Sequence, residues 1–198
     1  MPQYFDNVED LGHRDLALEF TLFGEKYHFR SDLGIFSKDS LDDGTRLLLE
    51  TIAQADLGTK ILDLGCGAGP IGLILAHLDS KRHVSLTDVN LRALELAKEN
   101  AEILHVASQV EIFASDVYHS IDSTYDTIVT NPPIRAGKKV TYAIYDGALS
   151  RLNRGGRLIQ VIRKKQGAES AFRHLQGIYP KVEAVASHKG YQIIVASI

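Results

Sequence analysis

Ile61-Leu62-Asp63-Leu64-Gly65-Cys66-Gly67-Ala68-Gly69 reads as a short apolar strand that runs into a glycine-rich turn with a carboxylate just inside it. Gly65, Gly67 and Gly69 let the chain turn sharply and bring backbone amides close to a ligand with no Cβ in the way. A turn of this kind, between a strand and its helix, predicts an α/β fold with a ligand held at the helix start.

Outward from that turn, short apolar runs at 60–64, 83–87, 110–114, 125–130 and 157–162 read as strands, with helical segments between most of them. The clearest helix spans 91–104. Asn90 caps it, and Leu94, Ala97, Ala101 and Leu104 fall at steps of three and four. Alternation of this sort argues for a mostly parallel, Rossmann-like sheet with helices on both faces. The ending departs from the pattern: 181–187 and 191–197 read as strands joined by His188-Lys189-Gly190, too short for a crossover and therefore antiparallel. On the other side, 18–29 alternates apolar and polar residues about a Gly24-Glu25 turn, which predicts a hairpin. Asp43-Gly44-Thr45 then precedes a helix over 46–55. A single domain over 1–198 is expected, with 1–40 a hairpin extension and 41–198 the ligand-binding core.

Bulk properties agree with this. A chain of 198 residues, 44% hydrophobic and 24% charged, matches a soluble globular protein. It has neither a leader-like start nor a long apolar run, so a cytoplasmic location is expected. The single Cys66 cannot form an internal disulfide and the eight histidines are scattered, so no metal site is expected. The net charge of −3 conceals a strong asymmetry: residues 1–130 carry −12 and residues 131–198 carry +9. Between 131 and 165 lie Arg135, Lys138, Lys139, Arg151, Arg154, Arg157, Arg163, Lys164 and Lys165 against only Asp146. Gathered on one side these would make a basic surface suited to RNA, whereas dispersed they would only solvate helices.

The glycine turn alone leaves the ligand open. Gly67-Ala-Gly69-Pro-Ile-Gly72 also fits a dinucleotide pattern, and Asp88, 21 residues after Gly67, could take ribose hydroxyls from either a nicotinamide cofactor or S-adenosyl-L-methionine. Asp63 helps the choice, because a carboxylate there would repel a pyrophosphate but meet the ammonium group of a methionyl moiety. Asp116, after Phe113-Ala114-Ser115, fits an acceptor for an adenine amine, with the Val117 amide reaching a ring nitrogen. Val89, Asn90 and Ser115, together with Asn131 further along the chain, complete the expected lining, and Cys66 reads as a small residue that fits a tight turn.

After the fourth strand of the core comes Asn131-Pro132-Pro133-Ile134, where an open α/β sheet places its active site. An exocyclic base amine is a poor nucleophile, so its transfer chemistry needs acceptors that hold both N–H groups and turn the lone pair toward a methyl carbon. Asn131 offers a side-chain carbonyl and Pro132 a backbone carbonyl, while consecutive prolines stiffen the loop. Ile134 gives apolar cover without a π-face, so base stacking must come from elsewhere.

Together Gly34-Ile-Phe36-Ser37-Lys38, Asp43-Gly44-Thr45, the Asp63–Gly69 loop, Asn131-Pro-Pro-Ile-Arg-Ala-Gly-Lys138 and Lys165-Gln166-Gly167-Ala168 resemble the methyltransferase small domain. That domain occurs in bacterial small-subunit ribosomal RNA guanine-N2 methyltransferases and in stand-alone relatives of about this length. The resemblance implies a seven-stranded class I methyltransferase sheet, S-adenosyl-L-methionine as donor and a guanine in RNA as acceptor. It also implies that Phe36 and Thr45 border the donor pocket. Ile134 followed by Arg135 is more similar to the stand-alone branch. Arg135, Lys138 and Lys139, with Arg163, Lys164 and Lys165, are the expected RNA contacts. Other readings are a protein-glutamine methyltransferase, a nicotinamide-binding oxidoreductase that would leave Asn131-Pro-Pro without purpose, and a non-catalytic donor-binding module in ribosome assembly.

Overall fold

A computed structural model describes residues 15–32, 41–132 and 137–198. A hairpin of β1 (Asp15–Leu22) and β2 (Glu25–Asp32) precedes α1 (Asp43–Ile52). The core then runs β3 (Lys60–Leu64), α2 (Pro70–Leu78), β4 (His83–Asp88), α3 (Leu91–Ile103), β5 (Val110–Ala114), β6 (Tyr125–Thr130), α4 (Gly137–Ala148), β7 (Leu152–Arg163), α5 (Ala168–Gln176), β8 (Lys181–His188) and β9 (Tyr191–Ser197). Its seven strands form one sheet in the order β5-β4-β3-β6-β7-β9-β8, parallel throughout except for β9.

Both faces of the sheet are covered, which is why its inner strands read as nearly continuous apolar runs. Neighbouring residues point to opposite faces. Ile61, Val129 and Ile159 join a core with Leu48 and Leu49 of α1, Ile71 and Ile74 of α2, and Leu94 of α3. Leu62, Ile128 and Leu158 pack instead with Ile144 and Tyr145 of α4 and Leu175 of α5. Asp63, two residues from Ile61, therefore points toward α2.

The strand order reverses between β3 and β6, and the crevice at such a switch point is where open sheets bind ligands. Gly65 and Asn131 leave these two adjacent strands, and the Thr130 hydroxyl donates to the Leu64 carbonyl at 2.8 Å, tying the strand ends together.

The hairpin belongs to the first of the two cores. Phe20 stacks on Tyr27 and Phe29 at 5.6 and 5.7 Å, and Tyr27 meets His77 of α2 edge-on. The buried Asn100 of α3 accepts from the Arg30 amide at 2.6 Å and donates to the carbonyls of Arg30 and Ala68 at 2.9 and 3.0 Å. One side chain thus links β2 to the glycine turn. The turn between β1 and β2 sits at Phe23-Gly24, one residue before the expected Gly24-Glu25, because both residues take positive φ (54° and 80°). Helix α1 also starts earlier than the expected 46, because Asp42 caps it by accepting from the Gly44 and Thr45 amides.

At the opposite end of the sheet Asp126 ties β6 to the start of β3. Its carboxylate accepts from the amides of Thr59 and Lys60, both at 2.9 Å, and from Asn153 Nδ2 at 2.8 Å. Burial alone would raise its pKa. The hydrogen bonds from Lys60, Asn153 and Thr59 outweigh it and hold the carboxyl below the usual value of 3.8. Asp126→Ala is expected to cost about 2 kcal/mol at neutral pH. Because the folded-state pKa is depressed, the contribution is present above about pH 4 and fades as pH falls through the lower value. Urea unfolding at pH 7 and pH 3 checks this: the gap between variant and wild type narrows at pH 3.

Candidate active site

Gly65, at φ +74°, turns the chain out of β3 while its amide and that of Cys66 donate to the Thr87 carbonyl at 2.8 and 2.9 Å. A Cβ at Gly65 would meet nothing within 4 Å, so the position borders open space and is glycine for its backbone conformation. Gly72, inside α2, is small for the other reason. A Cβ there would lie 2.9 Å from Leu86 Cγ and 3.0 Å from Asp63 Oδ2.

That close approach lets the Gly72 amide donate to Asp63 Oδ2 at 2.8 Å. Oδ1 of the same fully buried carboxylate has no partner among the described residues. Burial pushes the Asp63 pKa up to about 7; the Gly72 bond opposes the rise and the nearby Asp88 charge adds to it. An orphaned buried carboxylate oxygen beside a second carboxylate suits a cationic ligand group and disfavours a pyrophosphate. Asp88 closes β4 with Oδ2 accepting from the Gly67 amide and Oδ1 from the Asn90 amide, both at 2.9 Å. Carboxylate oxygens hold more than one bond each, so capacity for ribose hydroxyls remains. The residues fit S-adenosyl-L-methionine: Asp63 would face the ammonium and Asp88 the ribose.

Other expected lining residues divide by role. Cys66 is buried with Sγ 3.4 Å from the Gly67 carbonyl, and burial, followed by the charges of Asp63 and Asp88, pushes its thiol well above the usual value. It is a neutral filler of the turn. Gly69 begins α2 in the left-handed region. Asn90, after the half-buried Val89, spends its side chain capping α3 through the Arg92 and Ala93 amides. Ser115 donates to the Val117 carbonyl and accepts from the Ser120 amide, so it shapes the loop. Asp116 is exposed beside it, and Val117 sits at φ +49°, a strained conformation for a β-branched residue.

Asn131 stands on the other strand of the switch point. Its Nδ2 donates to Thr45 Oγ1 at 3.0 Å, which turns the side-chain carbonyl away from Thr45. Thr45 is completely buried on the first turn of α1, held there by Asp42. It therefore supports the Asn131 amide, a role that no local pattern around Thr45 signals. The expectations for Phe36, Pro133, Ile134 and Arg135 lie outside the described residues.

A cavity of about 190 Å³ opens beside Asn131 and Pro132, walled by Tyr142 of α4, Arg163 at the end of β7, Gln166 and Tyr191 of β9. Arg163 Nε donates to Tyr191 Oη at 2.8 Å. The Tyr191 ring lies 2.8 Å from where a Cβ on Gly44 would stand. Lys138 also lines the cavity, and Lys139, Lys164 and Lys165, chain neighbours of its lining residues, are exposed. Arg151, Arg154 and Arg157 are not part of this group. They lie toward the N-terminal half of β7, where Arg151 reaches the Asp122 carbonyl, so the basic run is split between two ends of one strand. Tyr142, Gln166 and Tyr191 went unnoticed as site residues; only Gln166 stood in a motif quoted above.

The methyltransferase small domain family matches residues 26–195. The uncharacterized protein YbxB of Bacillus subtilis is 45% identical over 195 residues, covering 98% of this chain and 96% of that protein. Ribosomal RNA small subunit methyltransferase C of Erwinia tasmaniensis is 40% identical over 131 residues, covering 63% of this chain but only 37% of that longer enzyme. Among solved structures, the Thermus thermophilus 16S rRNA N2 G1207 methyltransferase, in complex with AdoMet and guanosine, superimposes with a TM-score of 0.81 at 25% identity. The match covers 92% of this chain and 50% of that one. The seven-stranded sheet, its reversed strand β9 and the family match over most of its length make this chain a member of the methyltransferase small-domain family.

Proposed function

We propose that this protein transfers a methyl group to an exocyclic amine of an RNA base, guanine N2 in ribosomal RNA, with S-adenosyl-L-methionine as the donor. The carrying observation is the Asn131 carbonyl, oriented by the bond from Nδ2 to Thr45 at the end of β6, the strand beside β3, where Asp63 keeps an orphaned oxygen. When bound, the donor supplies an electrophilic methyl group on a sulfonium. The chain does the rest. Asn131 Oδ1 and the Pro132 carbonyl accept the two amine hydrogens and direct the lone pair out of conjugation. The methylated amine, positively charged, loses a proton to water, so no strong base is needed. Relatives named for ribosomal RNA support the substrate class, as do the basic residues around the cavity.

Mass mapping of ribosomal RNA nucleosides from cells with and without the protein tests the proposal. One guanine should lose its N2 methyl group when the protein is absent and regain it on complementation. Unchanged RNA together with a lost methylglutamine in a protein would transfer the activity to a side-chain amide.

A further inference from the structure

The cavity beside Asn131 has an aromatic wall. Tyr142 is fixed at two points. Its hydroxyl bonds Ser170 Oγ at 2.5 Å, and its ring stacks on His174 with centroids 4.0 Å apart and 15° between planes. His174 is anchored in turn by Asp146, with Nε2 2.7 Å from Oδ1. A half-buried tyrosine held this firmly, lining the same cavity as Asn131, has the form of a stacking platform rather than of a loose surface ring.

Arg163 lies on the same wall. Its Nε is engaged by Tyr191 Oη and its guanidinium sits 4.7 Å over the Tyr191 ring. Its Nη atoms donate no hydrogen bond among the described residues, so the end of the fork is available as a pair of donors. The volume of 190 Å³ is below the roughly 300–1,000 Å³ of pockets that enclose whole drug-sized ligands, and none of residues 65–69 lines it. It is sized for one planar ring system and lies apart from the donor turn.

We infer that this cavity is a purine-reading subsite in which Tyr142 stacks on the flipped base and Arg163 reads the O6/N7 edge of guanine. The inference rests on the proposed RNA methyltransferase reading and deepens it. Guanine carries its N2 amine on the edge opposite N7, so a base with that amine at Asn131 presents two acceptors to the far wall. A two-donor arginine fork matches O6 and N7, whereas adenine offers a donor at position 6. Gln166 both donates and accepts and therefore serves either purine. Discrimination falls on Arg163.

The test is titration of guanosine, adenosine and 7-deazaguanosine into the full-length protein saturated with S-adenosylhomocysteine, followed by chemical-shift changes. Guanosine should bind about tenfold more tightly than adenosine, and 7-deazaguanosine, which lacks the N7 acceptor, should lose most of that advantage. Arg163→Met should bind guanosine and adenosine alike. Tyr142→Leu should weaken every nucleoside about tenfold while Tyr142→Phe stays near wild type. Unchanged S-adenosylhomocysteine affinity shows that each variant is folded. Equal binding of both purines by the wild type, or a guanosine preference that survives in Arg163→Met, overturns the subsite while leaving RNA methylation standing. Absence of any nucleoside binding to a protein that still binds S-adenosylhomocysteine overturns the nucleobase reading itself, and the subsite with it.

Discussion

Asn131→Ala is expected to lower the methylation rate at saturating donor by about 10²–10³-fold, the usual effect of removing one preorganised polar group from a reacting centre. Affinity for the donor should hardly change, because the proposed donor contacts are Asp63, Asp88 and the glycine turn, which are held by their own hydrogen bonds. A weaker effect follows from Thr45, which touches no substrate atom in this scheme. Thr45→Val deletes the acceptor of the Asn131 Nδ2 bond and frees the amide to rotate, so its carbonyl no longer faces the incoming amine for most of the time. The rate should fall about tenfold with little change in the KM for donor. Thr45→Ser, which keeps the hydroxyl, should restore it. Single-turnover rates and donor titrations on the three variants check both statements. A Thr45→Val enzyme as active as wild type would show that Asn131 is held by other means.

Legibility of the structure in the sequence followed the range of the interactions. The strands of the core were readable because a sheet covered on both faces needs apolar residues on both, as in Ile61-Leu62 and Ile128-Val129. The glycine turn was readable because its backbone conformation demands glycine locally. The connections between them were not. Nothing near Thr45 announces that its hydroxyl meets an amide 86 residues away. Likewise nothing around Asn100 signals a bond to Ala68, or around Tyr142 a stack on His174. Such contacts exist only once the sheet has brought distant segments together. Charge counting left the grouping open for the same reason. Arg151 just precedes β7 and Arg163 ends it, and a count along the chain does not show that a strand's length separates them.

Asp63→Asn should produce opposite effects on donor binding and on stability. Without donor, burial holds the Asp63 pKa up to about 7, above its usual 3.8. Between these values the folded protein binds a proton that the unfolded chain has released. Stability from this group is therefore complete below about pH 4 and falls as pH rises through 7, by at most about 1.4 kcal/mol per pH unit. Asparagine accepts the Gly72 amide as the carboxylate does but carries no charge, so the donor-free variant should be more stable than wild type above pH 7 and show a flatter stability profile. Donor affinity should move the other way. The ammonium loses a charge-assisted bond of about 1.5–3 kcal/mol, a weakening of roughly 10- to 150-fold. Because a cationic ligand favours the ionised carboxylate, wild-type binding should strengthen as pH rises toward 7 and release a proton on the way, whereas Asp63→Asn binding should be independent of pH in that window. Calorimetric titration of S-adenosylmethionine in buffers of different ionisation enthalpy measures the proton directly. Equal proton release by wild type and variant would show that Asp63 only anchors α2, and would remove it from the donor site.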